Sequence, residues 1–187
     1  GIDRPAIATL LPSRSGVSIL LDAGAVADCT VENLRQFAVM GSVYAEKVLS
    51  ISNPRVGLLS IGEEKSKGNE LVRGAYEVLS VAALNFVGNV EGRDLFSGVV
   101  DVIVAYGFTG NVALKAAEGL AEHVERFIKD DLRAHPLAKI PIALMFPFLK
   151  RIKKKLDYSE YGGAPLLGLD GICIIGHGRS NARAVAN

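Results

Sequence analysis

Lys67 is the cation whose setting suggests chemistry. It stands beside Gly68 and Asn69, just ahead of a helical pattern. There an ammonium can meet a bound phosphate or a developing oxyanion; a solvated loop lysine is the plainer alternative. Asn111 follows Gly107, Thr109 and Gly110 at the start of a second helical pattern. Its amide can donate to an oxyanion or simply cap the helix. His177 lies between Gly176 and Gly178, with Asn181 close behind; it can act as acid or base, or as a structural hydrogen-bonder. Cys29 precedes a helix start, where a thiol pKa can fall, but no histidine lies near it in sequence, and Cys173 sits inside an apolar strand pattern. Neither makes a convincing nucleophile. His123 and His135 show no metal-ligand spacing with each other or with acidic pairs, and nothing else implies a cofactor.

The elements that must position these groups follow a rhythm. Short apolar runs at 17–21, 56–61, 85–87, 100–105 and 171–175 read as strands. Helical patterns occupy 31–50, 69–81 and 109–132, with a last helix from 180. In the first helix, Leu34, Phe37, Ala38, Gly41, Tyr44, Ala45 and Val48 recur at the spacing of one buried face, and Thr30 is a suitable N-cap. Strands alternating with helices indicate βαβ units. Continuous rather than alternating apolar strands indicate a mostly parallel sheet covered on both faces. The expected class is therefore α/β, a doubly wound, mostly parallel sheet, with residues 1–187 forming a single domain.

In such sheets ligands bind beyond the carboxyl ends of the strands. Four ends carry glycine-rich polar turns, at 22–25, 62–69, 107–111 and 176–181. Where a turn runs into a helix, free N–H groups and the helix dipole favour an anion. The ATP P-loop pattern is missing, and Gly176-His177-Gly178 lacks the third glycine of a dinucleotide fingerprint. Both kinds of nucleotide enzyme are disfavoured.

Composition excludes other classes. Twenty-one Lys and Arg against twenty Asp and Glu leave a formal charge of +1, which gives no electrostatic case for nucleic acid. Two distant cysteines exclude a disulfide scaffold. With 49% hydrophobic and 22% charged residues the chain is globular rather than disordered.

One segment breaks the rhythm. Within residues 137–156, the stretch 137–149 is apolar, interrupted by Pro141 and Pro147, and runs into Lys150, Arg151, Ile152, Lys153, Lys154 and Lys155. The prolines argue for a helical excursion in two pieces. Its apolar residues, Phe146 and Phe148 among them, with the cations Lys150, Arg151, Lys153 and Lys154, suit an anionic membrane interface. A dimer-facing helix with a solvated charged end is the alternative.

The strings GIDRPAIA, QFAVMGSVYAEKVL, NPRVGLLSIGEEKSKGNEL, FVGNVEGRD, GFTGNVALKAAEG, YSEYGGAPLLG and GHGRSNA occur in this order. Together they resemble the bacterial phosphate acyltransferases of phospholipid synthesis, the PlsX family, over nearly the whole chain. The resemblance implies an isocitrate or isopropylmalate dehydrogenase-like fold, related to phosphotransacetylase. It implies an enzyme that converts long-chain acyl-[acyl carrier protein] and inorganic phosphate to acyl phosphate and free carrier protein. It further implies a homodimer, cytoplasmic and peripherally associated with the membrane. Lys67 and Asn111 stand where the family has its active-site Lys and Asn. The family has a βα region upstream of GIDRPAIA, so the chain reads as the central and C-terminal part of such a protein. Two positions depart from the pattern: Val26 stands for an Asn and Tyr106 for an Asp, and both changes remove polar groups from loops facing the site. Two other functions fit the same features: a short-chain phosphotransacetylase, or a non-catalytic module that binds phosphate or acyl carrier.

Overall fold

The computed structural model describes residues 1–135, 145, 147–151 and 163–176. Seven strands form a sheet in the order β4-β3-β5-β2-β1-β6-β7. They are β1 (Ala6–Ser13), β2 (Gly16–Leu21), β3 (Val56–Leu59), β4 (Phe86–Val90), β5 (Val102–Val104), β6 (Ala164–Leu167) and β7 (Ile174–Ile175). Three α-helices accompany them: α1 (Val31–Lys47), α2 (Glu70–Ser80) and α3 (Gly107–Ala134). A 3₁₀ helix, Gly92–Phe96, joins β4 to β5.

The strands β4, β3, β5 and β2 run parallel, as the continuous apolar runs require. Beyond β2 the sheet turns antiparallel, through the β1–β2, β1–β6 and β6–β7 pairs. The strands β1 and β6 were not among the expected elements. Each contains a proline, Pro12 or Pro165, which removes a ladder donor and demotes a run that otherwise reads as strand. β7 is two residues long where five were expected. It runs antiparallel to β6, so its end at Gly176 points away from the rim that the turns at 22–25, 62–69 and 107–111 share.

Side chains alternate between two cores. On one face Ile19, Leu21, Val56, Leu58, Val102 and Val104 pack with Leu34 and Phe37 of α1 and Val72, Ala75 and Leu79 of α2. On the other, Leu20, Leu59 and Ile103 pack with Leu95 of the 3₁₀ helix and with Ala113 and Leu114 of α3. Full burial of each large aliphatic or aromatic side chain stabilises by about 1.5–3 kcal/mol before entropy is subtracted. α1 is capped as its sequence suggests: Thr30 Oγ1 accepts from the N–H of Asn33, and the Asn33 side chain accepts from the N–H of Thr30. Its expected face is buried up to Ala45, while Val48 lies past the helix end and is exposed. Gly41 lets α1 close onto β5, since a Cβ there would sit 2.5 Å from Val102 Cγ1.

At the amino ends of β3 and β5, Arg55 grips Asp101. The Arg55 N–H and Nε donate to Oδ2 at 2.8 and 3.0 Å, and Nη2 donates to Oδ1 at 2.9 Å. Burial by itself would raise the Asp101 carboxyl, but these hydrogen bonds and the guanidinium charge outweigh it and hold the group below its ordinary value. A carboxylate whose pKa falls on folding stabilises the fold above its unfolded pKa, and that contribution is lost as pH falls through the folded value. Asp101→Asn should therefore cost roughly 1 kcal/mol at pH 7. Denaturant melts across the acid range should show the gap between variant and wild type closing below about pH 4.

Candidate active site

Strand direction gathers the loops. After β3 the chain passes to α2 on one face of the sheet; after the neighbouring β5 it passes to α3 on the other. Connections that part in this way open a crevice at the carboxyl rim. The turn holding Lys67 lies on one side of that crevice and the turn from Gly107 to Asn111 on the other. The loop after β2, residues 22–30, flanks β5 from its far side.

Asp22 organises the β2 side. It is fully buried, and its carboxylate accepts four backbone N–H groups: Ile7 at 2.8 Å, Gly24 at 3.1 Å, Ala25 at 3.0 Å and Val26 at 2.7 Å. These satisfy the charge without a cation. The loop so formed is the seat for α3. The Gly107 N–H donates to the Val26 carbonyl at 2.9 Å. Gly110 lies so close that a Cβ would collide with the Asp22 carbonyl oxygen. Asn111 Nδ2 donates to the Ala23 carbonyl at 3.2 Å and packs over Gly24, whose φ is +134°. One Asn111 donor is thus spent on the loop, and one remains. The sequence carries a signal for Asp22, an acidic residue closing an apolar run ahead of glycine, but its role as a buried acceptor was not among the expectations.

Val26 and Tyr106, the two departures from the family pattern, have defined places. Val26 contributes both its N–H and its carbonyl to the seat of α3. Tyr106 is the N-cap residue of α3, provides no side-chain cap, and packs partly against the α1–α2 core. The first turn of α3 also lacks an acidic residue. The acidic group nearest the helix start comes instead from the β2 loop: a Cβ on Gly107 would lie 2.7 Å from Asp22 Oδ2.

On the other side of the crevice the 60–69 loop is tightly turned. The Lys67 N–H donates to the Glu64 carbonyl at 2.9 Å, and Asn89 Nδ2 donates to the same oxygen at 2.9 Å. Gly62 leaves room for the Lys67 stem, since a Cβ there would lie 2.8 Å from Lys67 Cγ. Lys67 is exposed and forms no ion pair with any described residue. Gly68, at φ +95°, turns the chain into α2, and Asn69 caps that helix by accepting from the Val72 N–H at 2.9 Å. Asn69 is thus a capping residue in this structure. Ser60 and Asn89, beneath the loop, were not among the expected site residues; a polar residue inside the apolar strand FVGNV was the available signal.

Cys29 is a poor nucleophile. Burial pushes its thiol up, against the opposing hydrogen bond from Gly107, and Sγ donates to the Val26 carbonyl at 3.4 Å. Among the described residues no cluster of His, Cys, Asp and Glu could hold a metal ion, and no helix is long and apolar enough to cross a membrane. Of the segment at 137–156, Met145 and residues 147–151 are helical and exposed, including Phe148, Lys150 and Arg151. Phe146, Lys153, Lys154, His177 and Asn181 lie outside the described residues. A groove of about 830 Å³ between α1 and α2, lined by Val39, Val43, Val78 and Leu84, opens at the opposite rim, near Pro54 and Asn85.

Among the described residues the rim combines an exposed lysine, a helix start without a side-chain cap and a carboxamide, with no activated nucleophile. That set suits binding an anion and stabilising a developing negative charge better than covalent catalysis. The chain is 57% identical over 187 residues to a phosphate acyltransferase of Heliobacterium modesticaldum, covering 100% of this chain and 56% of that protein. It is also 57% identical to the phosphate acyltransferase of Pelotomaculum thermopropionicum, covering 55% of it. The chain thus spans about half the length of the curated relatives it matches. In three dimensions it resembles the EutD phosphotransacetylase from Staphylococcus aureus, with a TM-score of 0.52 and 18% identity over 65% of this chain and 44% of that one. A phosphotransacetylase from Streptococcus pyogenes gives a TM-score of 0.51 at 21% identity, over 65% and 43% of the two chains. These likenesses support the α/β fold. The family described as fatty acid synthesis protein matches residues 1–187 in full, and the chain belongs to it.

Proposed function

We propose that the protein containing this chain is a phosphate acyltransferase. It transfers the acyl group of a long-chain acyl-[acyl carrier protein] to inorganic phosphate, giving acyl phosphate and free carrier protein. A phosphate oxygen attacks the thioester carbonyl, the C–S bond breaks, and the carrier thiolate leaves. The observation that carries the reading is the crevice between β3 and β5, with Lys67 on one lip and the start of α3 on the other, in a chain that matches phosphate acyltransferases along its whole length.

Phosphate is already anionic, so the reaction needs position and charge stabilisation more than a strong base. Lys67 neutralises the phosphate, and the N–H groups of Phe108 and Thr109 at the uncapped start of α3 meet it from the other side. Gly107 and Gly110 contribute by letting backbone approach backbone, and Gly68 by its positive φ at the turn into α2. The free donor of Asn111 orients the phosphate or the thioester carbonyl. His177 and Asn181 are secondary candidates for the same site.

Exposed apolar residues on α3, namely Leu120, Val124, Phe127 and Ile128, lie on one side of the helix and fit a homodimer seam. Met145, Phe148 and Leu149 are exposed beside Lys150 and Arg151. This arrangement fits peripheral contact with an anionic membrane from the cytoplasmic side.

Lys67→Ala should reduce acyl phosphate formation from palmitoyl carrier protein and phosphate by at least a hundredfold, with an unchanged circular dichroism spectrum. Full turnover by this variant would refute the assignment. Vesicle sedimentation should show binding to anionic phospholipid that Phe148→Ala combined with Lys150→Glu weakens several-fold. Equal, negligible binding to anionic and neutral vesicles would remove the membrane role.

A further inference from the structure

Asn89 lies on β4 opposite Leu58 of β3, and Ser60 follows two residues beyond Leu58 on the same face, beneath the start of α2. The neighbours on that face, Leu58, Val72 and Ala75, are apolar and buried. Asn89 is itself only 7% exposed. Its Oδ1 and the Ser60 hydroxyl are buried without a hydrogen-bond partner among the described residues. Leaving a buried polar atom unpaired is destabilising, so an apolar residue would suit packing better here.

What the amide provides is a buried tie between the sheet and the turn above it. Nδ2 donates at 2.9 Å to the Glu64 carbonyl, the same oxygen that accepts the Lys67 N–H and closes the turn from Glu64 to Lys67. At its base the Ser60 N–H donates to the Val90 carbonyl at 2.8 Å, but the side-chain tethers further along the loop are exposed. Arg93 reaches Glu63 at 3.0 Å with both side chains about two-thirds exposed, and Arg73 donates to the Gly68 carbonyl from the surface. Exposed pairs of this kind hold little. The Ser60 hydroxyl lies under Gly68, 3.2 Å from where a Cβ would stand, and lines the same underside.

We propose that Asn89 is the positioning residue for Lys67. From beneath the loop its amide sets the turn from Glu64 to Lys67, and so sets how tightly inorganic phosphate binds. This rests on the assignment of Lys67 to phosphate.

The test compares Asn89→Leu, Asn89→Asp and Lys67→Ala in the intact protein. Phosphate KM, acyl-carrier KM, kcat and Tm are measured, and phosphate is also titrated calorimetrically. Asn89→Leu should raise phosphate KM at least tenfold, with kcat at saturating phosphate within about threefold and acyl-carrier KM within about twofold of wild type. Its Tm should hold or rise, because the unpaired amide oxygen is gone. A merely structural asparagine predicts the reverse, a lower Tm with phosphate KM intact. Asn89→Asp keeps the shape but loses the donor while ionised, so phosphate affinity should recover towards wild type as pH is lowered and the carboxyl regains a proton. If Asn89→Leu fails to fold, this pH series decides by the same criterion. Phosphate KM within twofold of wild type in the Asn89 variants overturns the proposal. If Lys67→Ala loses phosphate while the Asn89 variants keep it, positioning alone falls. If Lys67→Ala keeps phosphate, the reading of Lys67 falls and takes this proposal with it.

Discussion

A buried carboxylate without a cation holds this architecture together at its functional rim. Asp22 gathers N–H groups from β1 and from three successive residues of its own loop. Desolvating such a charge costs several kcal/mol unless hydrogen bonds replace the lost water; four of them do so here. Once the loop is shaped in this way its carbonyls face outward, and α3 docks on them through Gly107, Gly110 and Asn111. A side chain at either glycine would separate the helix from its seat. The position of the α3 start therefore depends on a residue that never needs to touch substrate.

The two lips of the crevice are built on different principles. The α3 lip rests on backbone packed against backbone, which leaves little freedom. The Lys67 lip rests on a turn held from below by one buried amide and from outside by an exposed ion pair and a surface hydrogen bond. A rigid wall thus faces a more adjustable one.

Periodicity made the four parallel strands and the three helices readable, because continuous apolar runs and three-four spacing are what a sheet covered on both faces demands. The glycine-rich ends of β2, β3 and β5 marked the rim for the same reason. The antiparallel flank was hidden. Pro12 and Pro165 lie within β1 and β6; β1 pairs locally with β2, but β6 finds its place only through β1, far away in sequence. The turn that carries Lys67 was legible from its glycines, whereas Asn89 beneath it was not. Asn89 looks like an ordinary polar interruption until β3 and β4 are paired and the loop folds back over them. Asn69 and Asn111 show the converse: carboxamides that look free for ligand in sequence spend donor or acceptor capacity on capping and docking.

The strand order also has a bearing on how the chain reaches its fold. β2 and β3 are separated in the finished sheet by β5, which is made some forty residues after β3 ends. During synthesis both strands wait with unpaired edges while the hairpin of β1 and β2 forms locally and at once. The central gap closes only when residues 102–104 emerge and slot in. Such late insertion of a middle strand demands long loop closures and leaves sticky edges exposed meanwhile.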